Sequence, residues 1–294
     1  MGDPAEALLA LCRFPPAGSA VDLAVSGGPD SVGLWLLARA AHLEVRVHHV
    51  DHGLRAASAG DAALVEELGG HLGAPVTVHR ATVAPGPNLE ARARAARRGL
   101  LPPGALTGHT MDDLAETVLV NLLRGAGVDG LSPLVGDPTK PLIGLRRAAL
   151  HSFVERAGVP VAHDESNDDL RFVRNRVRHQ VVPLLAAVAE RDIVPLLARQ
   201  AALLAEERGW LDEVAADPRA LGEVDCRELA SWPRARLRRW LRARLRLDAE
   251  RHPPSAAEVE RAVAVVEGSV RATQLAGGRR LSRSARHLHL DEGG

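Results

Sequence analysis

The fold of this 294-residue chain is decided by the stretch Val21-Asp-Leu-Ala-Val-Ser-Gly-Gly-Pro-Asp-Ser31. Residues 21–25 are mostly apolar and β-branched, which predicts a strand, and the apolar period that follows predicts a helix over 31–41. Between them, Gly27 and Gly28 let the backbone pass close to an anion, and the N-terminus of the helix adds N–H groups that bind it. The stretch therefore predicts a strand, a phosphate-binding loop and a helix in succession.

The loop 26–31 is not a Walker A loop. It lacks the Gly-Lys-Ser/Thr ending, and the only lysine of the chain, Lys140, lies far from it in sequence. Asp30 is the informative residue, because a carboxylate beside phosphate repels it unless a divalent cation lies between them. We therefore expect Mg²⁺ at Asp30. The alternative is a plain N-capping turn with an acidic residue in the first helical turn.

The first 150 residues alternate short apolar runs with longer helical periods, a pattern typical of βαβ units around a parallel sheet. Further strands are predicted over 43–50, 75–79 and 105–107, and further helices over 61–72, 89–101, 110–124 and 146–157. In such sheets ligands bind beyond the carboxyl ends of the strands. The predicted class is α/β, with a parallel-sheet nucleotide-binding domain over 1–185 that includes 146–185 as an extension.

From residue 186 the sequence changes to long Leu/Ala/Arg helical periods, which predicts a smaller, mainly helical domain over 186–294. Alternating apolar and polar residues around Gly277 and Gly278 predict a terminal β-hairpin. One helical stripe in this domain is apolar and has arginines around it, as expected for a helix packed on its own domain with RNA outside. A plain surface helix is the alternative. The stripe comprises Leu237, Trp240, Leu241 and Leu245, and the candidate RNA contacts are Arg238, Arg239 and Arg242.

The charges cancel in total but not locally. Residues 1–150 carry 13 basic against 15 acidic side chains, and residues 151–294 carry 24 against 22. Arginines gather in acid-poor stretches, where phosphate contacts are expected. A net charge of zero therefore does not exclude a nucleic-acid partner.

The cellular setting is predicted from what the chain does not contain. Its two cysteines, Cys12 and Cys226, are far apart, which argues against a disulfide framework or a thiolate metal site. No basic segment precedes an apolar stretch at the start, and the apolar runs are shorter than the roughly 18 to 20 residues of a membrane span. We expect a cytoplasmic protein that does not enter a membrane. The oligomeric state stays open, a homodimer included.

Four further segments carry a family resemblance. They are His49-Val-Asp-His-Gly-Leu-Arg55, Asn88-Leu-Glu-Ala-Arg-Ala-Arg-Ala-Ala-Arg97, Gly108-His-Thr-Met-Asp-Asp-Leu-Ala-Glu-Thr117 with Leu123-Arg-Gly-Ala-Gly127, and Asp164-Glu-Ser-Asn167 with Arg174-Asn-Arg-Val-Arg178. With the loop 26–31, and in this order, they resemble the tRNA(Ile)-lysidine synthetase family of N-type ATP pyrophosphatases over roughly residues 20–185. The resemblance implies an adenine nucleotide alpha hydrolase-like (PP-loop) fold. It also implies a short form of the family, without the additional C-terminal domain of longer members.

The resemblance implies a ligase that forms a carbon–nitrogen bond. ATP would adenylate the C2 oxygen of the wobble cytidine in the CAU anticodon of an isoleucine tRNA. The ε-amine of free L-lysine would then displace AMP and form lysidine. The implied cofactors are ATP and Mg²⁺, and the implied partners are this tRNA and lysine.

The resemblance also assigns roles to single residues. Asp30, Asp113 and Glu116 would organise metal and lysine, Arg94 and Arg97 would contact the target base or its activated oxygen, and Arg174 and Arg178 would contact RNA phosphate. The nucleotide would be bound by Ser26, Gly27, Gly28, Pro29, Asp30, Ser31, His49 and Asp51.

The acidic cluster has a structural alternative as well. Thr110 followed three positions later by Asp113 predicts a capping box, which alone would explain that aspartate. Yet Asp113 and Glu116 are spaced to lie on one helix face, with Asp112 adjacent. Acids so close together repel each other unless they share a cation, for which Mg²⁺ and the lysine ammonium are both candidates. Either acid could take a proton from the amine.

Two other functions fit the same scaffold. A tRNA thiolase would typically use a pair of cysteines or an iron–sulfur cluster, but Cys12 and Cys226 lie outside every motif. A non-catalytic ATP-binding or RNA-binding relative would have no need of the acids Asp30, Asp113 and Glu116.

Overall fold

A parallel sheet organises the first part of the chain. The computed structural model describes residues 4–51, 58–81, 99–163, 168–215, 224–246 and 254–291. It divides the chain into two units, Met1–Ala205 and Glu206–Gly294. In the described residues no helix is both long and apolar enough to span a membrane.

The sheet of the first unit contains β1 (Ala20–Ala24), β2 (Glu44–Asp51) and β3 (Val76–Arg80). β2 pairs in parallel with both β1 and β3, and Leu106 forms a parallel bridge to Leu23 of β1. Alternate residues of a strand face the same side, and Leu23 and Val47 are fully buried on the core side. The predicted α/β class with a parallel sheet is confirmed.

Nine helices and one π-helical turn of the first unit lie among the described residues. They are α1 (Pro4–Leu9), α2 (Pro29–Ala40), α3 (Ser58–Leu72), α4 (Met111–Leu123), α5 (Val128–Leu131), α6 (Arg147–Ala157), α7 (Val173–Arg176), the π-helical turn Val177–Val181, α8 (Val182–Ala189) and α9 (Val194–Ala215), which continues into the second unit.

Two of these helices, α2 and α6, approach each other very closely. A Cβ atom added to Gly33 of α2 would lie 2.6 Å from Cδ1 of Leu150 in α6, so only glycine permits the contact. Leu34, Trp35 and Leu37 of α2 are fully buried in the core beneath the sheet. The close approach brings the start of α6 to the loop that precedes α2.

The first unit extends beyond residue 186, the predicted domain boundary. The first half of α9 belongs to it because Ala201 packs with Leu114 and Val118 of α4. Val182 and Leu185 of α8 also belong to the first unit, because they pack in the apolar cluster around Leu119 of α4. The division at residues 205 and 206 therefore falls inside α9.

The second unit combines helices with a small sheet. After the end of α9 it contains α10 (Cys226–Ser231), α11 (Arg234–Leu245), α12 (Ala256–Glu267), β4 (Ala272–Gln274), β5 (Arg280–Ser284) and β6 (His287–Asp291). The predicted apolar stripe of α11 is buried, Trp240 included. β4 and β5 form the predicted antiparallel pair around Gly277 and Gly278, but β6 adds a third strand that the hairpin prediction lacked. The second turn contains Ala285 with φ +53° and neither glycine nor proline, so no turn signal marks it.

Candidate active site

The loop between β1 and α2 is closed by its own hydroxyl groups. Gly27 has φ +91°, a conformation that favours glycine, and Gly28 is the N-cap residue of α2. The Ser26 N–H donates to Oγ of Ser31 at 3.2 Å, and the Ser31 hydroxyl donates to the carbonyl of Gly28 at 2.9 Å. Ser31 is buried and Ser26 is exposed. The predicted strand, loop and helix are all present, and Ser31 fixes the shape of the loop.

A second glycine, Gly108, packs against the backbone of this loop. A Cβ atom added to Gly108 would lie 2.5 Å from the carbonyl oxygen of Asp30 and 3.1 Å from the backbone nitrogen of Ser31. The segment after Leu106 can therefore run directly against the start of α2. Gly108 thus helps to set the position of Asp30.

The sequence predicts that this loop binds the phosphates of ATP. On that prediction, replacing Gly108 with alanine should displace the loop and lower ATP turnover by about 100-fold, because misplacing reacting groups by about 1 Å costs that much. The matched control is Gly70→Ala in α3, where an added Cβ meets nothing within 4 Å. Steady-state pyrophosphate release on both purified variants measures the difference. Equal turnover in the two variants would contradict the role of Gly108.

Asp30 contacts two residues of α6. Its Oδ1 lies 2.8 Å from Nε2 of His151, and its Oδ2 lies 3.6 Å from Nε of Arg147. Arg147 and His151 are four residues apart, so they lie on one face of the helix. The Nε of Arg147 is buried without a hydrogen-bond partner. α6 therefore presents a guanidinium and an imidazole to the carboxylate of the loop.

The acid pair Asp113 and Glu116 is buried at the start of α4, the former 8% and the latter 2% exposed. The capping box is confirmed, since the Thr110 N–H donates to Oδ2 of Asp113 at 2.8 Å. Asp112 is engaged elsewhere, because it accepts the N–H of Arg147 at 2.8 Å and pairs with the guanidinium of Arg146. Only two of the three neighbouring acids therefore share the buried site.

Three guanidinium groups surround the acid pair. Arg147 donates to Oε1 of Glu116 at 2.8 Å and to Oδ1 of Asp113 at 2.9 Å. Arg174 donates to Oε2 of Glu116 at 3.1 Å and to Oδ1 of Asp113 at 3.0 Å. Arg178 binds both oxygens of Glu116, at 2.7 and 3.0 Å. The arginines that contact the acid pair therefore come from positions 31 to 62 residues later in the sequence.

These arginines keep the acid pair ionised. Burial by itself would raise the pKa of Asp113. Arg147, Arg174 and the Thr110 N–H outweigh this effect and lower the pKa to about 2. Burial likewise raises the pKa of Glu116, and Arg178 and Arg147 bring it below its ordinary value. Both carboxylates are therefore anions at neutral pH and are poor proton acceptors. They are suited to holding a cation.

Comparison with known proteins identifies the family. The PP-loop domain family matches residues 6–185. A tRNA(Ile)-lysidine synthase from Synechococcus is 36% identical over 273 residues, which cover 83% of this chain and 82% of that protein. The chain belongs to the tRNA(Ile)-lysidine synthase family. A second tRNA(Ile)-lysidine synthase, from Solibacter usitatus, is 39% identical over 67% of this chain, and the chain spans about half, 48%, of its length.

A solved structure supports the fold. The U34-tRNA thiolase of Methanococcus maripaludis, determined with its 4Fe-4S cluster, superimposes with a TM-score of 0.55 over 69% of this chain and 78% of that one. Its sequence identity is 14%, so the likeness concerns the fold alone. The family resemblance that the motifs indicated is confirmed by the family match and the two tRNA(Ile)-lysidine synthases described above.

The donors around the acids decide which of them suit a metal ion. All four oxygens of Asp113 and Glu116 accept hydrogen bonds from arginines or Thr110, so the cations beside this pair in the structure are guanidinium groups, and the metal role remains a prediction. Among the described residues no group of three or more potential ligands could hold a metal ion. Asp30 differs, because its side chain is 34% exposed and the ion pair between its Oδ2 and Nε of Arg147 is long, at 3.6 Å. One carboxylate with substrate phosphates is a common arrangement for Mg²⁺.

The other predicted nucleotide contacts lie at the end of β2. His49 is buried, and its Nδ1 lies 2.9 Å from the carbonyl of Val25, just before the loop. The carbonyl of Asp51 accepts the N–H of Ala81 at 2.8 Å. His49 therefore packs against the strand that carries the loop, and its contact with the nucleotide remains a prediction.

Most of the arginines that the sequence predicts as RNA contacts pair with acids of the protein itself. Arg174 and Arg178 face the acid pair. Arg239 is half-buried and donates to Asp212 at 2.8 Å and to the carbonyl of Arg208 at 2.9 Å. Arg238 is exposed but pairs with Glu260, and Arg242 is half-buried. The acids that hold these arginines are distant in sequence, so the composition of each stretch did not reveal them.

Several predictions concern residues outside the described ranges. These are the roles of Arg94 and Arg97, most of the predicted helix 89–101, the end of the motif that starts at His49, and the segment 164–167. They remain predictions. Conversely, sequence reasoning missed Arg147 and His151. Their four-residue spacing in a predicted helix was visible, but nothing in the sequence showed that this face of the helix meets the loop.

Proposed function

We propose that this protein is a tRNA(Ile)-lysidine synthase that acts on the CAU-anticodon isoleucine tRNA in the cytoplasm. The observation that carries the proposal is the convergence of the loop carboxylate and the acid pair on one guanidinium. Arg147 contacts Glu116 at 2.8 Å and Asp113 at 2.9 Å, and it lies 3.6 Å from Asp30. This convergence supports a site in which the phosphates of ATP and an ammonium ion would bind next to each other.

In the first step the C2 oxygen of the wobble cytidine attacks the α-phosphorus of ATP, and pyrophosphate leaves. The loop from Ser26 to Ser31 contributes the start of α2, whose positive end favours the departing charge. Mg²⁺, when held by Asp30 and the phosphates, would neutralise part of that charge. The adenylated oxygen is then a good leaving group at an otherwise poor electrophile.

In the second step the ε-amine of lysine bonds to C2 of the cytidine, and AMP leaves with the oxygen. The ammonium form, with an ordinary pKa near 10.4, is attracted by the anions Asp113 and Glu116. Because the pKa of Asp113 is about 2, this acid holds the ammonium far better than it removes the proton. The pair is therefore assigned to binding lysine, and the proton leaves to another base or to water.

The second unit is proposed to hold the tRNA backbone. Arg242→Glu should weaken tRNA binding and reduce the slope of log affinity against log salt by about 1, the value for one phosphate contact, without changing ATP affinity. Arg239→Gln, which breaks the contact with Asp212, should instead lower thermal stability and leave the slope unchanged. Filter binding over a salt series distinguishes the two. An unchanged slope for Arg242→Glu would remove this residue from the RNA surface.

The thiolase alternative loses support from the cysteines. Cys12 lies in the first unit and Cys226 in the second, and both are free thiols. Burial raises the pKa of Cys12 to about 12, which disfavours a reactive thiolate. Neither cysteine is suited to carry sulfur.

The proposed function is tested with the tRNA transcript, ATP, Mg²⁺ and labelled lysine. Label should enter the wobble cytidine alone, and pyrophosphate release should depend on both tRNA and lysine for multiple turnovers. Nuclease digestion followed by mass spectrometry locates the modified nucleotide. Sulfur incorporation, or ATP binding without turnover, would support the two alternatives instead.

A further inference from the structure

Tryptophan and arginine alternate in a column along α11 that starts two residues before the helix. Its members, spaced four residues apart, are Trp232, Arg236, Trp240 and Arg244. Residues at this spacing lie one above the other on a helix. The guanidinium carbon of Arg236 lies 3.9 Å from the ring centroid of Trp232, and that of Arg244 lies 5.7 Å from the ring centroid of Trp240. Both distances are within the range of cation–π attraction, so the column holds two guanidinium groups over aromatic faces.

The rings of this column are fixed by packing within the second unit. Trp240 is 2% exposed in the apolar core, and the half-buried Trp232 meets it edge to face with 6.1 Å between the ring centroids. This is a favoured arrangement of two aromatic rings. Because the ring of Trp232 is fixed, the side chain of Arg236 that lies over it is ordered as well. Less conformational entropy is then lost when Arg236 binds a ligand.

Arg236 differs from its neighbours on α11 in its partners. The helix carries six arginines and no acidic residue. Arg234 and Arg238, on either side of Arg236, both pair with Glu260 of α12. Within the part of the chain that the structure describes, Arg236 pairs with no acid and forms no hydrogen bond through its side chain. Its positive charge is therefore not neutralised by the described residues.

The nitrogen atoms of Arg236 indicate which part of the guanidinium can bind a ligand. Nε is buried without a hydrogen-bond partner, but neither terminal nitrogen is, so the terminal N–H groups face solvent. Burial of Nε reduces the screening of the charge and strengthens the attraction of an anion. Phosphate suits these donors, because its oxygens accept the forked N–H groups of a guanidinium and its charge neutralises the cation.

We propose that Arg236, held in place by Trp232, binds a phosphate of the tRNA backbone. This inference rests on the proposed function. RNA suits the site better than a free phosphate ion does, because the other arginines of α11 extend the basic surface along the helix. The density of arginines in the sequence pointed to Arg238 and Arg239, which pair with acids, whereas the contacts in the structure point to Arg236.

Filter binding of the tRNA transcript over a salt series tests the inference. Arg236→Gln should weaken tRNA binding about 10-fold, as for loss of a charge-assisted hydrogen bond. It should also reduce the slope of log affinity against log salt by about 1, the value for one phosphate contact. Arg234→Gln is the matched control, because it removes the same charge from a guanidinium that already pairs with Glu260 and Glu267. This control should leave the slope unchanged.

A double-mutant cycle tests the positioning role of Trp232. Trp232→Leu should weaken tRNA binding in the unmodified chain but have no further effect in Arg236→Gln, because the ring acts through the guanidinium. A purely structural role of the ring would give the same loss in both backgrounds. Should Trp232→Leu not fold, Arg236→Lys replaces it. Lysine keeps the charge but lacks the planar fork, so affinity should fall while the slope stays that of the unmodified chain, and unchanged affinity would contradict the role of the ring.

Equal tRNA affinity and equal slope for folded Arg236→Gln and the unmodified chain would overturn the inference. A loss of affinity with an unchanged slope would also overturn it, since it would indicate stacking on a base and not a phosphate contact. Equilibrium dialysis with inorganic phosphate and with ATP separates RNA from free anions. Weaker binding of either small anion by Arg236→Gln, with tRNA binding unchanged, would assign the site to a free anion. The proposed function fails separately, if the unmodified chain forms no lysidine.

Discussion

Replacing Asp30 with alanine should abolish ATP-to-pyrophosphate turnover while the protein stays folded. The carboxylate is proposed to hold Mg²⁺ against the phosphates, a contribution of several kcal/mol to the transition state, so the expected loss is about 10³-fold or more. The side chain is 34% exposed, and Arg147 keeps its contacts with Asp113 and Glu116 when Asp30 is replaced. Tertiary structure should therefore survive.

Tests of Asp30 need a matched aspartate. Asp22 of β1 pairs with Arg46 on the surface of the same sheet, and Asp22→Ala should leave turnover unchanged. Pyrophosphate release with saturating tRNA and lysine is the measurement, and thermal unfolding establishes that each variant is folded. Near-normal turnover by folded Asp30→Ala would remove the metal assignment.

The sequence was sufficient to predict the fold of the first unit because each signal there is local. An apolar run, two glycines and an amphipathic period specify the strand, loop and helix around residues 21–41, and parallel pairing follows from repetition of that unit. The extra strand β6 was missed for the converse reason. Its preceding turn contains Ala285 in a left-handed conformation, and such a turn has no residue that marks it in the sequence.

The candidate site could be predicted only in part because its electrostatics depend on contacts distant in sequence. The acids of α4 were predicted to need a cation, and they have one, but it is guanidinium. The stretch around Arg174 and Arg178 contains no acid, which suggested an outward-facing basic surface. Folding brings Glu116 to it from 58 and 62 residues away. Charge patterns in the sequence therefore singled out these side chains, but they did not show that Arg174 and Arg178 pair with the acids of α4.

The same contacts make Glu116 the residue whose replacement should separate the two chemical steps. Glu116→Gln keeps the size of the side chain but removes the charge that three guanidinium groups share. We expect lysine incorporation to fall by at least about 10²-fold, as for loss of one essential electrostatic contact, while Asp30 and the loop still support adenylation. Adenylated tRNA should accumulate, with one pyrophosphate released per active site.

A buried carboxylate surrounded by arginines also contributes to stability, and this sets the conditions of the experiment. Removing one partner of a buried ion pair typically costs about 3–5 kcal/mol, so Glu116→Gln should unfold at a lower temperature and must be assayed well below it. Asp112→Asn is the matched control, because Asp112 belongs to the same helical turn but pairs with Arg146. If Glu116→Gln stops pyrophosphate release and lysine incorporation equally while remaining folded, the acid pair acts in adenylation, and its assignment to lysine is wrong. A burst of pyrophosphate without lysidine supports the assignment, since stability loss alone would reduce both steps together.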